Sequence, residues 1–243
     1  MTQITINADA GESLGPHSFG MDCDVMDHVD WVNVACAWHA GDPQAMHRTV
    51  EEAVSRGIAV GAHPGLPDLV GFGRREMSLN AQEVEDLLIY QVGALVGFLA
   101  RHDAQLHHLK PHGALYGMLA RDDELMRAAA RVARLFSVPV LGMAGTAHER
   151  VCQEMGVEFV AELYVDLDYR ADGSLIIQQH PAPKDPQLGA ARVRAAMDGD
   201  GVEAVDGTRL QIRFDSICIH SDISGAPQMA RAVRQVLNQA STG

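Results

Sequence analysis

The chain has 243 residues, a length that suits one large domain or two small ones, and α/β barrels near 250 residues are commonly one. Its 19 Lys and Arg against 32 Asp and Glu leave a net charge of −13, which disfavours a nucleic-acid or anionic-membrane surface. Apolar residues at 47% with charged ones at 21% supply a sizeable core and exclude wholesale disorder.

Cys23, Cys36, Cys152 and Cys218 lie far apart with no C-x-x-C pair, so neither a zinc knuckle nor a secreted disulfide framework is indicated. The start of the chain lacks a basic segment followed by a long apolar one, and no run approaches the roughly 20 apolar residues of a membrane span. The expectation is a soluble, unexported, cytoplasmic protein.

In chain order, the first expected strand is Ile4–Asn7 and the second Val32–Cys36. Asp42-Pro43 then offers a helix cap with proline at the first helical position. Met46, Val50, Ala53 and Val54 form one face before Gly57 stops the helix. After a third strand, Ile58–Ala62, Asn80 and Glu83 form a capping box for a helix whose Val84, Leu87, Leu88, Val92, Leu95 and Leu99 make one apolar stripe. Strands Leu106–Lys110, Val138–Gly142, Glu158–Glu162 and Ser216–His220 follow, with helical patterns after Asp122, Thr146, Asp185 and Pro227. Asp172-Gly173 and Asp206-Gly207 predict hairpin excursions near 169–178 and 202–214. The alternation predicts an α/β fold with a parallel sheet of seven strands, and no linker divides the chain, so residues 1–243 form one expected domain.

Polar residues collect at the C-terminal ends of these strands. Strand one, which carries Asn7, runs into Asp9 and Glu12; strand two runs into His39; strand three into His63; strand four into Lys110 and His112; strand six into Glu162 and Asp166; and strand seven into His220 and Asp222. Any one of these alone has an ordinary structural reading, but in a parallel barrel all six ends converge on one face, where active sites are built. The loops that follow are rich in glycine and proline, which permits close backbone approach to a ligand. Within Gly71–Arg75, Arg74 and Arg75 suit a carboxylate or phosphate, although a solvated basic turn explains them equally. Gly11-Glu12-Ser13-Leu14-Gly15 fits a nucleophile elbow, yet Pro16 and the residues after it break the helix that an elbow requires.

These same strand ends resemble the LamB/YcsF family. The resemblance is carried by N-A-D-A-G-E-S at Asn7–Ser13, A-C-A-W-H-A-G-D-P at Ala35–Pro43 and G-A-H-P-G-L-P-D-L-V-G-F-G-R-R at Gly61–Arg75. Y-Q-V-G-A-L at Tyr90–Leu95, L-K-P-H-G-A-L-Y at Leu109–Tyr116 and I-C-I-H-S-D at Ile217–Asp222 extend it. It implies a seven-stranded TIM-like β/α barrel related to glycoside hydrolases and deacetylases. It also implies ATP-dependent opening of 5-oxo-L-proline to L-glutamate, by an A subunit working with the B and C subunits of a 5-oxoprolinase. ATP is then a cosubstrate of the complex, and no Walker loop in this chain says which subunit holds it.

Under that reading Asp9 or His63 acts as general base, and Lys110 and His112 stabilise the oxyanion. Asn7, Glu12, His39, Arg74, Arg75, Glu162, His220 and Asp222 contact the substrate. Thr5 stands where the family usually has Asp, Ala37 and Ser221 where it has Gly, and Leu167 and Gln178 where Arg is expected. These departures leave the exact lactam open. One alternative is a metal-dependent deacetylase or hydrolase with a divalent ion on Asp9, His39, His63 or His112. Another is a non-catalytic subunit that binds a small acid. Turnover that no partner restores, with binding that survives loss of His63 or His112, distinguishes the last.

Overall fold

Six short, apolar segments pair in parallel, and their burial on both faces is what such runs require. The computed structural model describes residues 3–17, 20–178 and 182–240. Its elements are β1 (Thr5–Ala10), α1 (Asp22–Met26), β2 (Trp31–Ala35), α2 (Pro43–Ser55), β3 (Ala59–His63), α3 (Ala81–Ala100), α4 (Gly113–Arg121), α5 (Asp123–Phe136) and β4 (Val140–Gly142). These are followed by α6 (Ala147–Met155), β5 (Phe159–Tyr164), β6 (Asp168–Tyr169), β7 (Leu175–Ile176), α7 (Pro186–Asp198), β8 (Val202–Glu203), β9 (Arg209–Leu210), β10 (Ser216–His220) and α8 (Ala226–Ala240).

The curled sheet runs β3-β2-β1-β10-β5-β4, so the first and last long strands lie side by side at its centre. Residue pairing is in register along that centre: Asp9 opposes His220, and Asn7 opposes Cys218. β6 with β7, and β8 with β9, form two small antiparallel hairpins outside it.

The expected fourth strand, residues 106–110, is not a strand, and the sheet has six members where seven were expected. Leu109 instead makes single parallel bridges to Ala62 of β3 and to Val140 of β4. Its neighbours hydrogen-bond both edges: the Lys110 amide donates to the Ala62 carbonyl at 2.9 Å, and the Leu109 amide to the Pro139 carbonyl at 2.9 Å. Pro111 and Pro139 have no N–H to donate, so pairing with β4 stops after one residue, while on the β3 edge the His107 and His112 amides still donate to the Val60 and Pro64 carbonyls at 2.9 Å.

Helix ends follow the local chemistry. Asp42 accepts from the Gln44 and Ala45 amides, with Pro43 first in α2. Asn80 and Glu83 close the reciprocal capping box of α3, and Asp122 and Thr146 cap α5 and α6. α4 was not expected. It begins at Gly113 behind His112, which gives no side-chain cap.

His148 of α6 occupies the space where a side chain on Gly142 would stand; a Cβ there would meet Nδ1 at 2.7 Å. Its Nδ1 accepts from the Met143 amide at 3.2 Å and its Nε2 donates to the Tyr116 carbonyl at 3.1 Å, so only the neutral ring satisfies both. Burial pushes its pKa down to about 4, against a value near 6.5 in the unfolded chain. The unfolded state therefore binds the extra proton, and the stability is fully present above pH ~6.5 and declines as pH falls toward ~4, by a total of about 3 kcal/mol. Urea unfolding at pH 7 and pH 4.5 should show a smaller difference for His148→Gln, which retains a donor and an acceptor, than for the wild type. An unchanged difference assigns the acid sensitivity to other groups.

Candidate active site

Asp9, at the C-terminal end of β1, is 2% exposed, and a carboxylate in such surroundings requires a partner. Lys110 supplies it, donating from Nζ to Asp9 Oδ1 at 2.8 Å. The same ammonium lies 2.8 Å from Cys218 Sγ, 3.4 Å from Asn7 Oδ1 and 3.6 Å from Glu162 Oε1. Burial opposes the charge on Lys110, but Asp9, Cys218 and Glu162 together raise its pKa well above the ordinary lysine value. Burial likewise pushes Asp9 up, and His63, Lys110 and His220 outweigh it, holding the carboxyl well below its usual range. Both groups are charged.

Asp9 Oδ1 is held further by Asn33 of β2, whose Nδ2 donates to it and to Asn7 Oδ1, each at 2.8 Å. Asn33 is oriented in turn by His108, Nε2 lying 2.6 Å from Asn33 Oδ1. Gly61 makes this possible, because a Cβ there would collide with the His108 ring. The other oxygen of Asp9, Oδ2, faces two imidazoles: His63 Nε2 at 3.4 Å and His220 Nε2 at 3.6 Å.

His220 and Asp166 form a dyad, Nδ1 to Oδ1 at 3.0 Å, while Asp166 Oδ2 accepts from the His220 amide at 2.7 Å. Burial disfavours the charged ring, yet Asp166 and Asp9 raise its pKa above the ordinary histidine value. Glu162 Oε2 accepts from the hydroxyls of Tyr116 at 3.2 Å and Tyr164 at 3.0 Å.

The remaining histidines form a second cluster. His63 donates from Nδ1 to the Lys110 carbonyl at 2.8 Å, and His112 from Nε2 to the Phe72 carbonyl at 2.8 Å. Their free nitrogens, His63 Nε2 and His112 Nδ1, are 2.9 Å apart. The His39 ring stacks on His112 with centroids 3.8 Å apart and planes 6° from parallel. Glu12 Oε1 is 3.5 Å from His39 Nε2 and 3.7 Å from His112 Nδ1. Burial, then Asp222 and Asp9, push Glu12 well above the usual carboxyl range. Glu12, His39, His63 and His112 offer four ligand atoms close enough for one metal ion, and Asp9, Cys218 and His220 offer three.

Not every expected residue joins this centre. Arg74 pairs with Asp222 Oδ2 at 2.8 Å at the mouth. Arg75 turns away, more than half exposed and ion-paired to Asp68. Ser13 directly precedes a short turn closed by Leu14 and His17, with no helix before Asp22 among the described residues. Asn33, His108, Tyr116 and Tyr164 were not anticipated. The signal available for Asn33 was a single polar residue inside the apolar strand W-V-N-V-A.

Above Lys110 lies a cavity of about 30 Å³, touched by Asp9, His63, His220, Leu167 and Gln178. It adjoins a larger one of about 880 Å³ through shared walls at Arg74, Tyr116, Leu175 and Ile177. The first has room for one water, and the second is within the range of small-molecule sites. Leu167 and Gln178, where the family pattern expects Arg, thus border the space over Lys110, leaving Arg74 as the guanidinium there.

The model of the LamB/YcsF family matches residues 4–243. The A subunit of 5-oxoprolinase from Tolumonas auensis is 43% identical over 244 residues, covering 99% of this chain and 97% of the relative. Lactam utilization protein lamB of Emericella nidulans is 41% identical over 238 residues, covering 96% and 94%. The crystal structure of the lactam utilization protein from Thermus thermophilus superposes with a TM-score of 0.88 at 42% identity, covering 98% of this chain and 97% of that one.

Proposed function

This chain belongs to the LamB/YcsF family, and from that membership together with the buried Asp9–Lys110 pair we infer that it is a hydrolase that opens a cyclic amide, with 5-oxo-L-proline as the substrate. The observation that carries the reading is a charged pair placed at a strand end, flanked by His63 and His220 and open to a cavity. We propose further that residues 106–110 take the seventh place in the ring of a β/α barrel, with Leu109 hydrogen-bonded to both edges. In that arrangement the single-domain chain presents its strand ends as one mouth.

In this reading Lys110 stabilises the oxyanion that develops as water attacks the ring carbonyl. Asp9 Oδ2 accepts the water's proton. His220, kept protonated by Asp166, delivers a proton to the ring nitrogen as the C–N bond breaks. His112, neutral, has its one N–H committed to Phe72, so it serves the centre with a lone pair and not as an oxyanion donor. Arg74, and with it Asn7, Glu12, His39, Glu162 and Asp222, shape the substrate's seat. Arg75 is a rim residue paired with Asp68.

A carboxylate with a depressed pKa is a weak base, and an unactivated lactam resists water. The pair is matched if ATP, leaving as ADP, first phosphorylates the amide oxygen, which makes the carbon electrophilic; Lys110 then faces the charge on that phosphorylated oxygen, C–N cleavage leaves an acyl phosphate, and a second water releases phosphate and glutamate. ATP dependence, the cytoplasmic setting and partnership with B and C subunits belong to this proposal. They are supported by the relatives named as A subunits of 5-oxoprolinase, and by the fact that no described helix is long and apolar enough to cross a membrane.

The test is glutamate formation from 5-oxoproline by this chain with ATP and purified B and C subunits, each component omitted in turn. Glutamate only in the full mixture supports the reading. No glutamate, beside an authentic A subunit that is active with the same partners, overturns the choice of substrate and points to the Leu167 and Gln178 positions.

A further inference from the structure

We propose that Glu12, His39, His63 and His112 bind one divalent transition-metal ion, a site distinct from the Asp9–Lys110 pair beside it. The argument rests on hydrogen positions. A carbonyl oxygen only accepts, so the His63 Nδ1 and His112 Nε2 atoms bonded to the Lys110 and Phe72 carbonyls must each carry the hydrogen. In the neutral rings that leaves His63 Nε2 and His112 Nδ1 as bare lone pairs pointing at one another across 2.9 Å. Two acceptors at that distance repel unless something positive lies between them or beside them.

The surroundings point the same way. Both oxygens of Glu12 and both nitrogens of His39 are buried without a hydrogen-bond partner, a concentration of orphaned polar atoms that buried groups rarely tolerate. Gly65 and Gly73 make room for these rings, since a Cβ on Gly65 would collide with the His39 ring and one on Gly73 would meet His39 Cβ at 2.7 Å and the His112 ring at 2.9 Å. A proton shared between His63 and His112 would answer the facing lone pairs but would leave Glu12 and His39 unsatisfied. One cation takes lone pairs from Glu12, His63 and His112 together, and it reaches His39 Nε2 once that ring tilts out of its parallel stack on His112.

The spacing fits. Distances of 3.5 Å from Glu12 Oε1 to His39 Nε2, and 3.7 Å from Glu12 Oε1 to His112 Nδ1, compare with about 3.3 Å between ligands of a tetrahedral ion with bonds near 2.0 to 2.1 Å. Two of the three rings already donate their other N–H to backbone carbonyls, the outer-shell arrangement that fixes the tautomer of metal-bound histidines. Three imidazoles with one carboxylate suit Zn²⁺, Fe²⁺, Co²⁺ or Ni²⁺, and not Mg²⁺ or Ca²⁺, which favour oxygen. The competing group, Asp9 with Cys218 and His220, needs no ion: Lys110 Nζ lies 2.8 Å from both Asp9 Oδ1 and Cys218 Sγ, and Asp166 takes His220 Nδ1. The proposed ion ties together the loops after β1 and β2, the end of β3 and the turn that opens α4, and it places a fixed positive charge beside His63, the neighbour of Asp9 Oδ2.

The experiment is metal analysis of the full chain purified without chelator, followed by stripping and titration with Zn²⁺ and Co²⁺. It needs neither substrate nor partner subunits, so its failure is separate from failure of the ring-opening reading. The expected result is about one ion per chain, a rise in melting temperature on reloading, and a tetrahedral Co²⁺ spectrum without a thiolate charge-transfer band. His39→Ala and Glu12→Ala should each weaken Zn²⁺ binding by more than ~10-fold. Stripped wild-type protein that takes up neither ion overturns the proposal, and so does binding unchanged in both variants. A thiolate band also overturns it, since that moves the ion to Cys218. If a variant fails to fold by circular dichroism, the wild-type titration and spectrum decide alone.

Discussion

Replacing Asp9 by asparagine is expected to lower glutamate formation by roughly 10²- to 10⁴-fold, the range attached to loss of a positioned general base. Asparagine has nearly the same shape, and its side chain can still meet Lys110 and Asn33, so the loss should fall on kcat with little change in KM. The measurement is steady-state glutamate release by the full mixture, accompanied by a melting curve for the isolated chain. If turnover stays within a few fold of wild type while the variant folds, the water's proton goes elsewhere and Asp9 serves only to hold Lys110.

The second large effect is on the fold itself. Lys110→Met retains the length of the side chain and removes the one ammonium between Asp9 and Glu162, which lie 2.8 and 3.6 Å from Nζ. Leaving a buried charge without its partner costs about 3 to 5 kcal/mol. For a chain of this size that corresponds to a fall in melting temperature of roughly 6 to 20 °C. Activity should vanish with it. The double variant Asp9→Asn with Lys110→Met removes the stranded carboxylate too, so it should recover part of the stability and none of the turnover. A single variant that melts like wild type would mean that Asp9 takes up a proton at little cost once Lys110 is gone.

Much of this centre could be read from the chain because chemistry and topology coincide. Asp9, His63 and His220 each close a short apolar run, and parallel pairing brings such ends together whatever lies between them. Helix starts were equally legible where a side chain does the capping, as at Asp42, Asn80 and Asp122. α4 escaped because His112 is spent on Phe72 and offers no cap, and the segment before it reads as a full strand only when the prolines bordering its partners are left out of account. Arg75 was grouped with Arg74 by adjacency, but successive residues of a turn point in different directions, and Asp68 captured one of them. His108 resisted reading because its role depends on the missing side chain of Gly61, a residue far away in sequence.

The central pairing of β1 with β10 also bears on the order in which the molecule is made. Asp9 leaves the ribosome long before His220, yet they are cross-strand neighbours. For most of synthesis β1 has one edge without its final partner, and the pairing that completes the sheet closes a loop of nearly the whole chain, which slows folding and exposes an apolar edge. The nascent chain thus carries no assembled cluster: the half built on residues 7–112 waits for Asp166, which follows β5, and for His220 at the end of β10.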